Sequence, residues 1–111
     1  MSLDISVIND QGSAQLRIVG EVDMYSSTQV RRALLELVKQ KQSPVIVDLN
    51  EVSYMDSSGV ATLIEGLQMC GEYGGTLLIV GLRDNVREVF ELTRLDKIFK
   101  IYQNIEAAMA R

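Results

Sequence analysis

The sequence has no histidine and only one cysteine among its 111 residues. A catalytic Ser-His-Asp triad needs a histidine, an intramolecular disulfide needs two cysteines, and the usual zinc sites combine several cysteines or histidines. A Gly-x-x-x-x-Gly-Lys loop, the common cradle for nucleotide phosphates, is also missing. We therefore predict a protein without catalysis, metal or cofactor, in which the single cysteine, Cys70, fills the core rather than reacts.

Positive charge is scarce as well, because 11 lysines and arginines stand against 15 aspartates and glutamates, which leaves a net charge of -4. Surfaces that bind nucleic acids or anionic membranes are normally basic. We therefore predict no nucleic-acid partner and no direct insertion into a membrane. A second protein or a neutral ligand is the partner that this charge favours.

Long apolar stretches are absent too. No uninterrupted run approaches the roughly 18 residues that span a bilayer, and the N-terminal stretch lacks the basic start and apolar core of a signal peptide. We expect a cytoplasmic protein. A chain of 111 residues is long enough for one core and too short for two, so we predict a single domain over residues 1–111.

The most informative stretch that is present covers residues 44–67, where two hydrophobic periods meet. Residues 45–49 form a run rich in β-branched side chains, typical of a strand covered on both faces. From Val60 onward, apolar residues recur at the i, i+3, i+4, i+7 spacing of a helix with one buried side. The turn between them includes Asp-Ser-Ser at 56–58, and each of these residues is a favourable N-cap. Because open α/β sheets place their sites at the carboxyl ends of strands, this turn is the first candidate site.

The residues ahead of this stretch predict a hairpin and a helix. Apolar and polar residues alternate over 3–7 and again over 14–18, with turn residues between them, which is typical of an antiparallel pair of strands. Ser26 and Gln29 have the spacing of a capping box, so a helix should begin there. Its expected buried stripe consists of Val30, Ala33, Leu34, Leu37 and Val38.

The residues that follow predict a βαβ unit and a short final segment. Glycines between 71 and 75 should end the second helix, and the apolar run 76–82 should be a central parallel strand. Asn85 opens another capping-box sequence, apolar residues over 95–102 indicate a short edge strand, and Asn104 should cap a last helix. The inward residues of that last helix are predicted to be Ile105, Ala108 and Met109.

Two short motifs precede the first two predicted helices, Gly-Glu-Val-Asp at 20–23 and Asp-Ser-Ser-Gly at 56–59. Together with the order strand, strand, helix, strand, helix, strand, helix, they make nearly the whole chain resemble the STAS family of bacterial anti-sigma factor antagonists. The resemblance implies an α/β fold of the STAS type, a small mixed sheet of four to five strands with about four packed helices. Met24 and Tyr25 are bulkier and more apolar than the family pattern, which bears on the identity of the partner.

The resemblance also implies a function. In this family the serine directly after the motif's aspartate is phosphorylated by a partner anti-sigma factor that is also a serine kinase, and a metal-dependent serine phosphatase reverses the reaction. By position that serine is Ser57. The unphosphorylated form would bind the anti-sigma factor and release the sigma factor, and phosphorylation at Ser57 would abolish binding. The residues expected to bind the partner are Asp23, Asp56, Ser57, Ser58 and Gly59.

Local sequence alone gives simpler explanations of the same residues. Ser57 and Asp56 are each explained as an N-cap, although Asp56 is also placed to orient the hydroxyl of the acceptor. Ser58 is explained as a first-turn residue or as a secondary phosphate acceptor. Gly59 is expected to let another backbone come close, and Asp23 is explained equally well by turn formation or by partner binding.

The resemblance also admits a rival function for the whole chain. Stand-alone STAS domains sometimes serve as soluble accessory subunits of membrane transport complexes of the lipid type. Such a subunit needs no phosphate acceptor. The intact motif at 56–59 therefore favours the anti-sigma factor antagonist.

Overall fold

The computed structural model describes residues 3–110, which form a five-stranded sheet with helices on both faces. The strands are β1 (Leu3–Asp10), β2 (Ser13–Val22), β3 (Val45–Met55), β4 (Leu77–Val80) and β5 (Lys100–Tyr102). The helices are α1 (Ser27–Lys39), α2 (Ser57–Glu72), α3 (Asp84–Leu92) and α4 (Ile105–Met109), with a 3₁₀-helix at Leu95–Lys97. The sheet order is β1-β2-β3-β4-β5, and of these pairs β1–β2 is antiparallel and the others are parallel. This mixed α/β architecture confirms the predicted fold class.

The sheet separates two apolar clusters of different size. On one face, α1, α2 and α3 contribute Val30, Leu63 and Phe90 to a large cluster shared with the strands. On the other face, α4 contributes Ala108 to a small cluster that also contains Ile46 of β3. Because successive residues of a strand point to opposite faces, helices on both sides explain the unbroken apolar runs of β3 and β4.

Most of the predicted elements are present. The β1–β2 hairpin forms with Asp10 opposite Ser13 at its turn, and α1 buries most of the predicted stripe. Cys70 is fully buried, as predicted, and burial raises the pKa of its thiol. Asn104 caps α4, since its side-chain oxygen accepts a hydrogen bond of 2.8 Å from the Ala107 N–H. Met109 was predicted to face inward and is instead 53% exposed.

Several strand boundaries differ from the prediction. Within the apolar stretch 95–102 only Lys100–Tyr102 form a strand, because Leu95–Lys97 form the 3₁₀-helix. Strand β3 continues to Met55, well beyond residue 49, because β2 runs beside it as far as Val22 and supplies parallel backbone partners to a polar stretch. Strand β4 ends at Val80, since Gly81 adopts a φ of 78° that turns the chain. The longer β3 is what carries the 56–59 motif to the end of β2.

Two predicted capping boxes are wrong. Ser26 makes no capping bond to α1, and its hydroxyl donates instead to the Glu21 carbonyl at 2.8 Å. Asn85 lies inside α3, whose N-cap residue is Arg83, and its amide donates to the Ser53 carbonyl at 2.7 Å. Each side chain bonds to a strand, and a capping-box spacing cannot distinguish that use from a cap.

Helix α2 ends in the glycine-rich segment, as predicted. Gly74 has a φ of 74°, and the Gly74 and Gly75 N–H groups donate to the carbonyls of Gly71 and Cys70, which is the Schellman arrangement. Gly71 itself still belongs to the helix. Across the helices described between residues 3 and 110, none has both the length and the apolar character needed to cross a membrane.

Candidate functional site

The two sequence motifs meet at one edge of the sheet. Val22 and Met55, the last residues of β2 and β3, are paired in register, so Asp23 and Asp56 follow at neighbouring positions. The Asp56 N–H donates to the Val22 carbonyl at 3.1 Å and extends the ladder by one bond. The edge at which the parallel strands end is therefore also where the first turns of α1 and α2 begin.

Asp56 is the N-cap of α2. Its backbone is extended, with φ -100° and ψ -172°, and its carboxylate accepts hydrogen bonds from the N–H groups of Ser58 at 2.9 Å and Gly59 at 3.4 Å. The same oxygen accepts a bond of 2.5 Å from the Ser58 hydroxyl. These bonds, first of all the one from the Ser58 hydroxyl, hold the pKa of Asp56 below its ordinary value, against the opposing effects of burial and, less strongly, of the charge of Asp23. Of the three possible caps at 56–58, the structure selects the aspartate.

Ser57 is the first residue of α2, and its side chain is exposed. Within residues 3–110 no group forms a hydrogen bond with its hydroxyl, whereas the hydroxyl of half-buried Ser58 is bonded to Asp56. The explanation of Ser57 as an N-cap is therefore wrong. What the structure presents to solvent at the start of α2 is one unbonded hydroxyl beside a capping carboxylate.

Gly59 is buried beneath this turn. A Cβ atom built on it would lie 2.7 Å from Cγ of Met55 and 2.8 Å from Cγ1 of Val22. The expectation that Gly59 lets another backbone approach is wrong, because the close neighbours are side chains. Glycine at this position lets the first turn of α2 rest on the last residues of β2 and β3.

Asp23 organises the turn between β2 and α1. One carboxylate oxygen accepts hydrogen bonds from the N–H groups of Tyr25 and Ser26, each at 2.9 Å. The bond from the Ser26 backbone is the largest of the effects that lower the pKa of Asp23. Formation of this turn is a sufficient explanation for an aspartate at position 23. The charge of Asp23 also lies at the same edge of the sheet as Asp56.

Sequence analysis connected the two residues after Asp23 with the identity of the partner but did not count them among the site residues. Met24 is 65% exposed and Tyr25 is 81% exposed, although both carry large apolar groups. Beside Tyr25 is an open cavity of about 300 Å³, which is lined by Leu3, Glu21, Asp23, Tyr25, Ser26 and Gln29. In the sequence, this exposed apolar surface is indicated by two bulky residues directly after the motif at 20–23.

The site offers no assembled metal centre. Over the described range, residues 3–110, no three cysteine, aspartate or glutamate side chains gather closely enough to hold a metal ion. Asp23 and Asp56 are two carboxylates whose hydrogen bonds come from their own turns. Their arrangement is suited to presenting a hydroxyl and negative charge at a surface.

Comparison with known sequences supports a single family. A family model described as STAS domain matches residues 4–108. An anti-sigma-B factor antagonist of Listeria monocytogenes is 34% identical over 101 residues, which is 90% of this chain and 87% of that protein. An anti-sigma-B factor antagonist of Bacillus subtilis is 29% identical over 109 residues, 98% of this chain and 99% of that protein.

Solved structures share the fold. An anti-sigma factor antagonist from Mycobacterium paratuberculosis superposes with a TM-score of 0.91 at 24% identity, covering 98% of this chain and 92% of that one. The anti-sigma factor antagonist SpoIIAA in its unphosphorylated form gives 0.82 at 21% identity, covering 96% and 93%. The Bacillus cell fate determinant SpoIIAA in the phosphorylated form gives 0.74 at 21%, covering 99% and 98%. Since the family model spans almost the entire chain and the Listeria relative aligns over nine-tenths of it, this protein belongs to the STAS domain family.

Proposed function

We propose that this protein is an anti-sigma factor antagonist controlled by phosphorylation of Ser57. Its unmodified form binds an anti-sigma factor, which thereby releases a sigma factor, and the phosphorylated form does not bind. The observation that carries the proposal is the exposed, unbonded hydroxyl of Ser57 at the start of α2. The names of the Listeria and Bacillus relatives support the antagonist function.

Ser57 is chosen as the acceptor because its phosphorylation breaks fewer hydrogen bonds than phosphorylation of Ser58 would. In phosphoryl transfer the attacking oxygen must approach the γ-phosphate in line, so it must be accessible and able to lose its proton to a base of the kinase. The Ser58 hydroxyl donates its proton to Asp56 and is half-buried. Ser57 gives up no hydrogen bond within the described residues. The existence of SpoIIAA in a phosphorylated form supports this kind of control in the family.

The phosphate on Ser57 weakens binding at the surface where the partner contacts this protein. It adds about 1.5 to 2 negative charges next to Asp56, whose carboxylate already occupies the first N–H groups of α2. Asp23 adds a further negative charge at the same edge. Desolvating this charge without a matching cation costs several kcal/mol, and a penalty of about 3 kcal/mol weakens binding more than a hundredfold.

Two protein partners follow from this function. One is the anti-sigma factor, which is also the serine kinase that uses ATP, and the other is a metal-dependent serine phosphatase that restores the hydroxyl. The protein itself is a binding module that acts in the cytoplasm and contributes the acceptor and the docking surface. The charge and hydroxyl groups of that surface come from Asp23, Asp56, Ser57 and Ser58. Gly59 lets the first turn of α2 pack closely on the ends of β2 and β3.

The experiment is a comparison of capture by two states of the same protein. Immobilised unmodified protein and Ser57→Ala should both retain an anti-sigma factor with kinase activity from extracts of the source cell. After incubation with the retained kinase and ATP, the wild type should release its partner and Ser57→Ala should keep it. Retention of the partner by wild-type protein that carries a full phosphate on Ser57 would reject the proposal, as would retention of only transport proteins.

A further inference from the structure

The turn after β2 exposes two bulky side chains that the fold does not use. Met24 and Tyr25 are 65% and 81% exposed, and neither belongs to the apolar clusters of the core. Tyrosine and methionine are enriched at the centres of protein interfaces, and a buried tyrosine is among the residues that contribute most to binding. Exposed side chains of this kind point to contact with another molecule.

The backbone that carries these side chains is fixed. Asp23 accepts hydrogen bonds from the N–H groups of Tyr25 and Ser26, and its own N–H donates to the Ser26 hydroxyl at 2.9 Å. That hydroxyl in turn donates to the Glu21 carbonyl in β2. Because the turn is ordered before any partner arrives, binding through Met24 and Tyr25 loses little backbone entropy.

The surroundings of Tyr25 are acidic. The cavity of about 300 Å³ beside it is lined in part by two acidic residues, Glu21 and Asp23. Among the described residues the ion pairs are Arg31–Glu65 and Arg83–Glu51, so neither carboxylate of the cavity is paired with a cation. A partner that contacts this surface is complementary to it when it carries a lysine or arginine next to an apolar pocket.

This surface is continuous with the edge that carries Ser57. Asp23 and Asp56 directly follow paired residues of β2 and β3, and the Asp56 N–H donates to the Val22 carbonyl. A protein that senses charge on Ser57 therefore reaches the turn at 23–26 within the same interface. The position of the turn favours the anti-sigma factor over an unrelated partner.

We propose that Met24 and Tyr25 are the apolar anchor through which this protein selects its anti-sigma factor. The partner is an anti-sigma factor whose docking surface offers an apolar pocket for Tyr25 bordered by at least one lysine or arginine. This inference rests on the proposed function and adds to it the residues that determine partner choice. Ser57 decides whether binding occurs, and Met24 and Tyr25 decide with which anti-sigma factor.

The test is titration calorimetry with the purified anti-sigma factor retained by the unmodified protein. Tyr25→Ala should weaken binding by about tenfold or more, whereas Tyr25→Phe should stay within about threefold because the ring is kept. Leu92→Ala is the matched control, since Leu92 is 77% exposed on α3, and it should leave the affinity unchanged. Glu21→Gln should weaken binding and reduce its dependence on salt.

The other outcomes distinguish a failure of the proposed anchor from a failure of the proposed function. If Ser57 phosphorylation blocks binding while Tyr25→Ala binds as tightly as wild type, the anchor is wrong and the proposed function stands. If the unmodified protein retains no anti-sigma factor, both are rejected. If sedimentation shows a wild-type dimer that Tyr25→Ala converts to monomers, the surface belongs to a second copy of the chain and the anchor is rejected. Equal melting temperatures of the variants confirm that the fold is intact.

Discussion

Ser57 and Ser58 are adjacent residues with the same side chain, and helix geometry gives them opposite surroundings. Ser58 points back toward the cap, where its hydroxyl and its N–H both bond to the Asp56 carboxylate. A phosphate on Ser58 would remove the proton that makes this bond and place two negative groups in contact. Ser57 faces solvent, so a phosphate there leaves the cap in place.

The first prediction concerns the phosphorylated residue. With its anti-sigma factor kinase and ATP, the protein should gain one phosphate, on Ser57, because that hydroxyl is accessible and unbonded. Ser58→Ala should still be phosphorylated on Ser57, and Ser57→Ala should not be phosphorylated. Mass spectrometry of the digested protein locates the phosphate. Phosphate found on Ser58 of the wild type would show that the assignment is wrong.

The second prediction concerns the charge on Asp56. Hydrogen bonds lower the pKa of this carboxyl from its ordinary value of 3.8, so folding favours the ionised form. A pKa that is lower in the folded protein adds stability above the unfolded pKa, and that stability is lost as the pH falls through the folded value. Asp56→Asn keeps a capping oxygen but removes the charge. It should lower the free energy of unfolding by about 1 kcal/mol or less at neutral pH, and the difference should vanish in acid.

Urea unfolding at neutral pH and at successively lower pH measures this effect. Asp4→Asn is the control, because Asp4 is exposed on β1 and accepts no capping bonds. Its unfolding free energy at neutral pH should stay close to that of the wild type, because no capping bond is lost. A difference between Asp56→Asn and wild type that grows as the pH falls would contradict the role of Asp56 as an ionised cap.

At the scale of elements, α2 is held in place by contacts on two sides. Leu63 is fully buried between the helix and the sheet. A Cβ atom at Gly66 would lie 3.2 Å from Leu34 of α1 and 3.3 Å from Leu77 of β4, so this glycine allows α2 to pack closely against both. Outside the core, Arg31 of α1 forms a bidentate ion pair with Glu65 of α2, which contributes little because both side chains are exposed.

The third prediction tests the buried face of α2. Leu63→Ala should lower the free energy of unfolding by about 2 to 5 kcal/mol, because it leaves a cavity in the core. Ile64→Ala should cost less, since the structure shows Ile64 to be half-buried. Gln68→Ala, on the exposed side of the same helix, should change stability by about 0.5 kcal/mol or less. A loss below about 1 kcal/mol for Leu63→Ala would mean that the helix is placed in the wrong register.

The sequence was sufficient to predict those elements whose apolar residues repeat at a clear period. The stripe of α1, the hairpin and the central strands all followed from that pattern, because burial on one or two faces fixes the period. The end of β3 could not be predicted, since in the stretch 50–54 only Val52 is buried in the core and the rest is held in the sheet by pairing with β2. Asn85 was misassigned for the same reason, because its partner is the distant carbonyl of Ser53.

The site was predictable in its location and less so in its details. Because parallel strands end at one edge, the motifs at 20–23 and 56–59 could be placed together before the structure was known. Which residue caps α2 depended on the backbone of Asp56, and the space around Gly59 depended on Met55 and Val22. These are properties of three segments in contact, and no single segment encodes them.

For the whole molecule, the placement of the site separates folding from binding. The core lies beneath α1, α2 and α3 and on the opposite face beneath α4, whereas Ser57 is exposed at the edge of the sheet. A change of charge at Ser57 therefore has little effect on the buried groups that stabilise the fold. Its effect falls on any protein that covers this edge and must exclude water from it.

The last prediction follows from this separation. In Ser57→Asp the new carboxylate is attracted to the start of α2 by about 0.3 to 1 kcal/mol and repelled by Asp56, so stability should change by about 1 kcal/mol or less. Binding to the anti-sigma factor should weaken by about tenfold or more, although aspartate carries less charge than a phosphate. Thermal melts measure the change in stability, and calorimetry measures the change in binding. Ser57→Ala is the uncharged control, which should keep the stability and the affinity of the wild type. If Ser57→Asp and the phosphorylated protein bind as tightly as wild type, charge at Ser57 is not the switch.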